Sequence, residues 1–297
     1  MKKILSLLTI AICFVFAACD DAAIYPDNQT MGAIAISVDE TYKPIMEEQI
    51  KIFEGRYPKA KIKAVYKPEA DCIQDFIKDT TRLIFITRKL TADEKKICEQ
   101  KKIAVTRELA MVRDAVAFIV AKGAKSEYTQ AEFTKILKGE STDVQLVFDN
   151  QNSSTVRYIQ DTVLQGAPMT KNNYAAKGCQ DLINYVQTNP KSIGVIGVSW
   201  VADNADTTTE SFLKKLDVVG ILPYNDSITR YRKPYQAYIG LKEYPYCREL
   251  FFISKEGYPG LGTGFANYLG RDGQLVFSKS KLFPLQMEVL IRDVNVH

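Results

Sequence analysis

Ser153, Ser154 and Thr155 stand in a row where an apolar run, VQLVF at 144–148, passes through a polar turn into an amphipathic stretch. Three adjacent hydroxyls at the start of a helix suit the binding of an anion. The first N–H groups of a helix have no intrahelical partners, the macrodipole places partial positive charge there, and hydroxyls add donors. Ser and Thr are also the commonest helix caps, so this segment alone leaves capping and anion binding both open.

The chemistry that the chain lacks narrows the field. Its single histidine is His297, the last residue, so Ser–His–Asp and Cys–His nucleophile systems and H-E-x-x-H zinc sites are all without their imidazole. An enzyme would have to work with carboxylates, Lys or Tyr; the expectation is a non-enzyme with no cofactor. Beyond the leader the cysteines are Cys19, Cys72, Cys98, Cys179 and Cys247, with no Cys-x-x-Cys pair, which argues against a metal held by thiolates. Cys72 with Cys98 is the first pair to test for a disulfide, although spacing does not establish pairing. Nor is nucleic acid an expected partner. The one dense basic run, Lys95, Lys96, Lys101 and Lys102, shares its helix with Asp93, Glu94 and Glu99, the pattern of a solvated face.

Residues 1–18 read as a signal peptide: Lys2 and Lys3 precede an apolar run that ends in small residues before Cys19. FAAC at 16–19 is similar to a bacterial lipobox, in which the Cys is lipidated and becomes the first residue, though Phe16 is an unusual start for it. Ordinary cleavage with Cys19 incidental is the alternative. Loss of the leader removes two lysines from a formal net charge of +4, and leaves enough chain for two ordinary domains or one long one. The expected location is the cell envelope, with the chain lipid-anchored at Cys19 through a polar tether over 19–31, on the periplasmic or outer-membrane surface.

Beyond the tether, short β-type runs alternate with helical patterns, the signature of α/β units around largely parallel sheets. Strands are expected at 32–37, 61–66, 82–87, 103–109, 115–121, 144–148, 193–201, 216–222, 248–254 and 286–294. Helices are expected at 39–55, 70–79, 154–165, 178–188 and from Gly262 through 280. Thr91 with Glu94 and Thr129 with Glu132 have capping-box spacing and start two more, the second ended by Gly139. Residues 203–211 read as a surface loop.

The order of these pieces resembles the phosphate-binding proteins of bacterial phosphate uptake, in the periplasmic substrate-binding superfamily. The resemblance rests on SVDETYKP after the first strand, TRKL after the third, RDAVAFIVAKGAK with FTKILKGE, FDNQNSST, IGVIGV, and YCRELFFIS followed by FANYLGRDGQLVF. It implies an α/β fold of two lobes, each a mixed, mostly parallel sheet flanked by helices, with the ligand cleft between them. It places 32–113 with 220–297 in the first lobe and 114–219 in the second.

The resemblance also implies where a ligand would sit. Ser37 would offer its hydroxyl and Val38 its amide; Thr87 and Arg88 would form the third turn; Ser153, Ser154 and Thr155 would hold the anion from the second lobe. Glu69, Ala70 and Asp71 occupy a turn where the family supplies a Ser or a backbone donor, a departure in residue type. At Asp149 the family pattern has an Arg, and at Arg88 an Asp, so the two charges look exchanged across the cleft. Arg88 would then fork onto two phosphate oxygens and Asp149 accept the proton of monohydrogen phosphate, which sulfate lacks. A salt bridge between them, or two unrelated solvated charges, is the alternative. Arg157, one turn into the helix from Ser153, is within reach of the anion, but an outward surface position is the expectation. The implied partners are inorganic phosphate, an inner-membrane ABC permease and the membrane through the lipid, and the chain is expected to be a monomer. The alternative is a surface interaction or sensing lipoprotein that retains the fold, or a receptor for another oxyanion.

Overall fold

The first apolar run becomes strand β1 (Gly32–Asp39), which pairs in parallel with β2 (Ala60–Lys67) and with β3 (Leu83–Ile86). The computed structural model describes residues 25–141, 143–201, 214–224 and 229–286. The signal peptide, Cys19, the loop at 203–211, His297 and nearly all of the strand expected at 286–294 lie outside the described residues. Among the described residues no helix is long and apolar enough to cross a membrane.

One long strand organises the rest. The runs at 103–109 and 115–121, expected as two elements, are joined in the 15-residue strand β4 (Arg107–Ala121). The charged residues between them do not break it because both are partnered. Arg113 donates to the carbonyl of Gly240 at 2.6 Å, and Asp114 accepts from Arg248. In chain order there follow β5 (Glu127–Thr129), β6 (Gln145–Phe148), β7 (Asn173–Ala175), β8 (Ser192–Gly197), β9 (Leu216–Val218), β10 (Gly220–Leu222), β11 (Cys247–Ser254) and β12 (Phe283–Pro284). The main sheet runs β2-β1-β3-β11-β4-β8-β6-β7. The first half of β4 pairs with β11, whereas Val116–Ile119 pair with β8 and Ile119–Ala121 with β9. One strand therefore serves both lobes of a curled mixed sheet.

Gly220–Leu222, at the point where the resemblance places the return to the first lobe, pairs with β5. Tyr246, just before β11, packs edge-on against Phe118 of β4, with centroids 4.9 Å apart.

Local signals behave as the sequence leads one to expect. Both capping boxes form, at Thr91–Glu94 and Thr129–Glu132. Gly139 ends the second helix in the left-handed conformation at φ 79°, where a Cβ is disfavoured. The helix expected at 39–55 divides into a 3₁₀ turn, Glu40–Tyr42, and the helix Lys43–Arg56. Past Ser154–Arg157 the helix continues as a π-helical stretch, Tyr158–Val163. Cys72 and Cys98, the first pair to test for a disulfide, are both free thiols. They are buried in a secondary apolar cluster with Phe76 and Ile253, where a thiol packs as a small hydrophobe.

Phe118 is fully buried on β4, with Phe133 at a centroid distance of 4.2 Å and Tyr246 on another side. Phe118→Ala is expected to cost about 3–5 kcal/mol, read as a lower midpoint in urea unfolding; a loss below 1 kcal/mol would show that this aromatic cluster does not anchor the shared strand.

Candidate functional site

Both strands that pass between the lobes carry a charge at the same register. Arg248 of β11 lies opposite Asp114 of β4, its Nε donates to Asp114 Oδ2 at 2.7 Å, and the two side chains are 2% and 1% exposed. The Tyr42 hydroxyl donates to the same carboxylate oxygen at 2.8 Å. Arg248 Nη1 donates to Ser154 Oγ at 2.9 Å. One guanidinium thus ties the crossing strands to helix starts in both lobes. Burial works against its charge, but Asp114 and Tyr42 outweigh it and raise its pKa. Its Nη2 is buried with no partner among the described residues. Gly197 makes the room: a Cβ there would lie 3.2 Å from Nη2 and 3.1 Å from Thr41 Cβ.

The three hydroxyls of the turn are fully buried and already engaged. Ser153 caps the helix Ser154–Arg157 by accepting from the Val156 N–H at 3.3 Å, and its Oγ lies 2.8 Å from Thr155 Oγ1. Thr155 donates to Asp149 Oδ1 at 2.6 Å. Asp149 also accepts from the Asn150 N–H at 3.1 Å, and its other oxygen faces Cys179 Sγ at 3.8 Å. Burial raises the Asp149 pKa despite the hydroxyls of Ser153 and Thr155.

The first lobe presents carboxylates to this turn. Asp39 Oδ1 accepts from the Thr41 N–H at 2.9 Å and from the Thr41 hydroxyl at 2.6 Å, capping the 3₁₀ turn. Its Oδ2 is buried without a partner among the described residues. Burial, with the charge of Glu69 in addition, pushes Asp39 up to about 6 against Arg248 and Ser154. Burial likewise pushes Glu40 up to about 7, aided by Asp149 and Asp39.

Glu69 behaves differently. Its Oε1 accepts from both the N–H and the hydroxyl of Thr87, at 2.8 and 2.6 Å, and its Oε2 accepts from Arg157 Nε across the cleft. Arg157 Nη2 also donates to Thr87 Oγ1 at 2.7 Å. Burial would raise the pKa of Glu69, but the Arg157 charge and these hydrogen bonds prevail and lower it.

The structure thus brings together Thr87, Ser153, Ser154, Thr155 and Asp149 of the residues singled out in the sequence, and turns the others elsewhere. Ser37 donates to Asp75 at 2.6 Å, beside Lys67. Val38 is buried in the core on β1. Arg88 forks onto Glu94 at 2.7 and 2.8 Å within its own lobe, and lies 3.8 Å from Glu69. Arg157, expected outside, reaches across the cleft to Glu69 and Thr87. Arg248 had no place in the sequence reading; its one signal is an arginine inside the buried run RELFFIS. A cavity of about 210 Å³ opens next to this arrangement, lined by Glu69, Asn152, Ser153 and Arg157 among others. Among the described residues no group of three or more His, Cys, Asp or Glu side chains could hold a metal ion.

Two α/β lobes joined through shared strands, with helix starts converging on a buried cleft, define a binding protein of the two-lobed type. A family model described as a PBP superfamily domain matches residues 23–272, and the chain belongs to that superfamily, whose substrate-binding transport receptors are not enzymes. A search of curated protein sequences finds no match. Similar solved structures include a candidate phosphate ABC transporter substrate-binding protein from Clostridium perfringens with bound phosphate. It is 19% identical, with 86% of this chain and 100% of that one covered and a TM-score of 0.70. An ABC-type phosphate transport receptor from Vibrio cholerae is 13% identical over 85% and 100% of the two chains, with a TM-score of 0.60. A candidate phosphate-binding protein from Planctomyces limnophilus is 20% identical over 86% and 93%, with a TM-score of 0.55.

Asp39 binds a proton in the folded protein up to a pH of about 6, well above its ordinary value of 3.8. The stability it contributes is full below pH 4 and is lost as the pH rises through 6. Asp39→Asn, which has no proton to lose, is therefore expected to gain about 1–3 kcal/mol relative to the wild type between about pH 5 and 8. Urea unfolding at both pH values checks this, and an equal difference at both would contradict it. Glu69→Gln is expected to cost stability towards the lower end of the roughly 3–5 kcal/mol typical of a broken buried pair, because Arg157 is 24% exposed. An unchanged melting temperature would show that the bridge contributes nothing.

Proposed function

We infer that this chain is a solute-binding protein whose lobes close on an inorganic oxyanion, phosphate foremost, at the Ser153–Thr155 turn and Arg248. The observation that carries this is a buried donor and a buried acceptor, Arg248 Nη2 and Asp39 Oδ2, both without partners among the described residues and both adjoining Ser154. A protonated oxyanion suits such a pair. One of its oxygens accepts from the guanidinium, and its own O–H donates to Asp39. Sulfate, which carries no proton near neutral pH, would meet Asp39 oxygen to oxygen. The acceptor role falls to Asp39 rather than Asp149, because Asp149 is engaged by Thr155 and by the turn backbone. Ser37, Val38 and Arg88 stand outside the proposed ligand set for the reasons of contact given above, and Thr87 enters it only if Glu69 releases it. Closure is the working step, since a dehydrated anion is held only when many charge-assisted hydrogen bonds form together.

The finer parts of the reading are lipid anchoring at Cys19, a place in the cell envelope, a monomeric state and delivery to an ABC permease. They are supported by the leader sequence and by the likeness to phosphate ABC transporter receptors of known structure.

Glu69 favours a second reading. Its carboxylate takes the N–H, the hydroxyl and the guanidinium that an anion would otherwise use. A chain latched in this way by its own side chain would serve as a surface interaction or sensing lipoprotein that keeps the two-lobed form.

Calorimetry of ligand-stripped protein with phosphate, arsenate, sulfate and molybdate separates the two. The oxyanion reading expects micromolar or tighter phosphate binding, sulfate weaker by at least about tenfold, which is 1.4 kcal/mol, and a narrower gap in Asp39→Asn. Failure of all four anions to bind would sink it and leave the second reading.

A further inference from the structure

A larger cavity, of about 500 Å³, opens at the junction of the lobes, and its wall carries six cationic side chains: Arg88, Lys89, Arg113, Arg157, Lys242 and Arg248. Glu249 is its one acidic lining residue. The arginines are largely balanced from behind: Arg88 by Glu94, Arg157 by Glu69, Arg248 by Asp114, and Arg113 by Glu249 at 3.8 Å. Lys89 and Lys242 are exposed and have no ion pair among the described residues. They leave the cavity with two uncompensated positive charges.

The cavity is built from both lobes. Lys89 follows β3, Tyr158 belongs to the π-helical stretch of the second lobe, and β4 and β11 supply Arg113 and Phe251. Lys242 is held at φ 58°, a left-handed conformation in which a non-glycine residue is uncommon, just past the helix Gln236–Gly240. Arg113 Nε is buried without a partner among the described residues. Part of the wall is apolar. Lys89 Nζ sits 5.9 Å from the Phe251 ring centroid, and Tyr244 and Pro245 line the same space. A volume in the range of roughly 300–1,000 Å³ suits a small organic molecule, whereas one inorganic anion would leave most of it to water.

We propose that this cavity binds a small organic dianion, a phosphate monoester in class, with its charged group at Lys89, Lys242 and Arg113 and its organic part against Phe251 and Pro245. Such a ligand touches both lobes and the strands between them, so it binds the closed form and stabilises it. The proposal stands apart from the oxyanion reading of the cleft. It uses the two lysines, which that reading does not, and it asks nothing of Ser154 or Asp39.

Calorimetry of the full chain with phenyl phosphate, succinate and inorganic phosphate tests it. In Ser154→Ala, where the cleft is impaired, phenyl phosphate is expected to bind at least tenfold more tightly than inorganic phosphate. The double variant Lys89→Ala/Lys242→Ala is expected to lose at least tenfold in phenyl phosphate affinity. Its melting temperature without ligand and its affinity for inorganic phosphate are expected to stay unchanged, since both lysines are exposed. Ser154→Ala is expected to act the other way, weakening inorganic phosphate alone. Phenyl phosphate binding to Ser154→Ala no tighter than inorganic phosphate, equal binding by the double variant, or no binding of phenyl phosphate would each overturn the proposal. Preference for succinate would overturn the phosphate monoester as its class. None of these results bears on inorganic phosphate at the cleft, which Ser154→Ala reports separately.

Discussion

The buried ion pair between Arg248 and Asp114 is the constraint on which the rest of the structure depends. A guanidinium without access to water needs a carboxylate and further hydrogen-bond partners, or the fold loses several kcal/mol. Its direct partners are Asp114 on the adjacent crossing strand and Ser154 from the second lobe, and Tyr42 of the first lobe donates to the same Asp114 oxygen. Satisfying one charge therefore sets the positions of two helix starts relative to the strands that join the lobes. The cleft is a by-product of that requirement as much as a site in its own right.

The cleft also differs from a simple anion trap in the sign of its side chains. Asp39, Glu69 and Asp149 are all buried there, against Arg248 and Arg157. Each carboxylate is stabilised by a different route. Glu69 is held charged by Arg157 and by Thr87, Asp149 is wrapped by the hydroxyls of its own turn, and Asp39 keeps one oxygen unsatisfied and rises towards protonation.

Much of the fold was legible because its determinants are local. The capping boxes at Thr91 and Thr129 need only three residues of spacing, and the left-handed stop at Gly139 needs one residue. Within the described residues most of the apolar runs became strands nearly where expected, although the run at 193–201 leaves the sheet at Gly197 for a 3₁₀ turn, Val198–Val201. The long strand β4 was harder to see, since the charges at Arg113 and Asp114 interrupt the apolar pattern, and their partners Gly240 and Arg248 lie more than a hundred residues further along. LDVVGIL reads as one strand of unspecified sheet, and only the fold divides it, pairing Leu216–Val218 with β4 and Gly220–Leu222 with β5.

The candidate site divides along the same line. By itself the sequence determined that there is a hydroxyl-rich helix start at Ser153–Thr155, that Asp149 precedes it, and that no imidazole stands ready for catalysis, because these are matters of residue type and short spacing. Tertiary structure decided which charge faces which. It gave Arg88 to Glu94, drew Arg157 inward to Glu69 and Thr87, turned Ser37 to Asp75, and set Arg248 against a hydroxyl 94 residues away in the chain. Long side chains choose partners by proximity in the folded state, and that proximity exists only once the two crossing strands have paired.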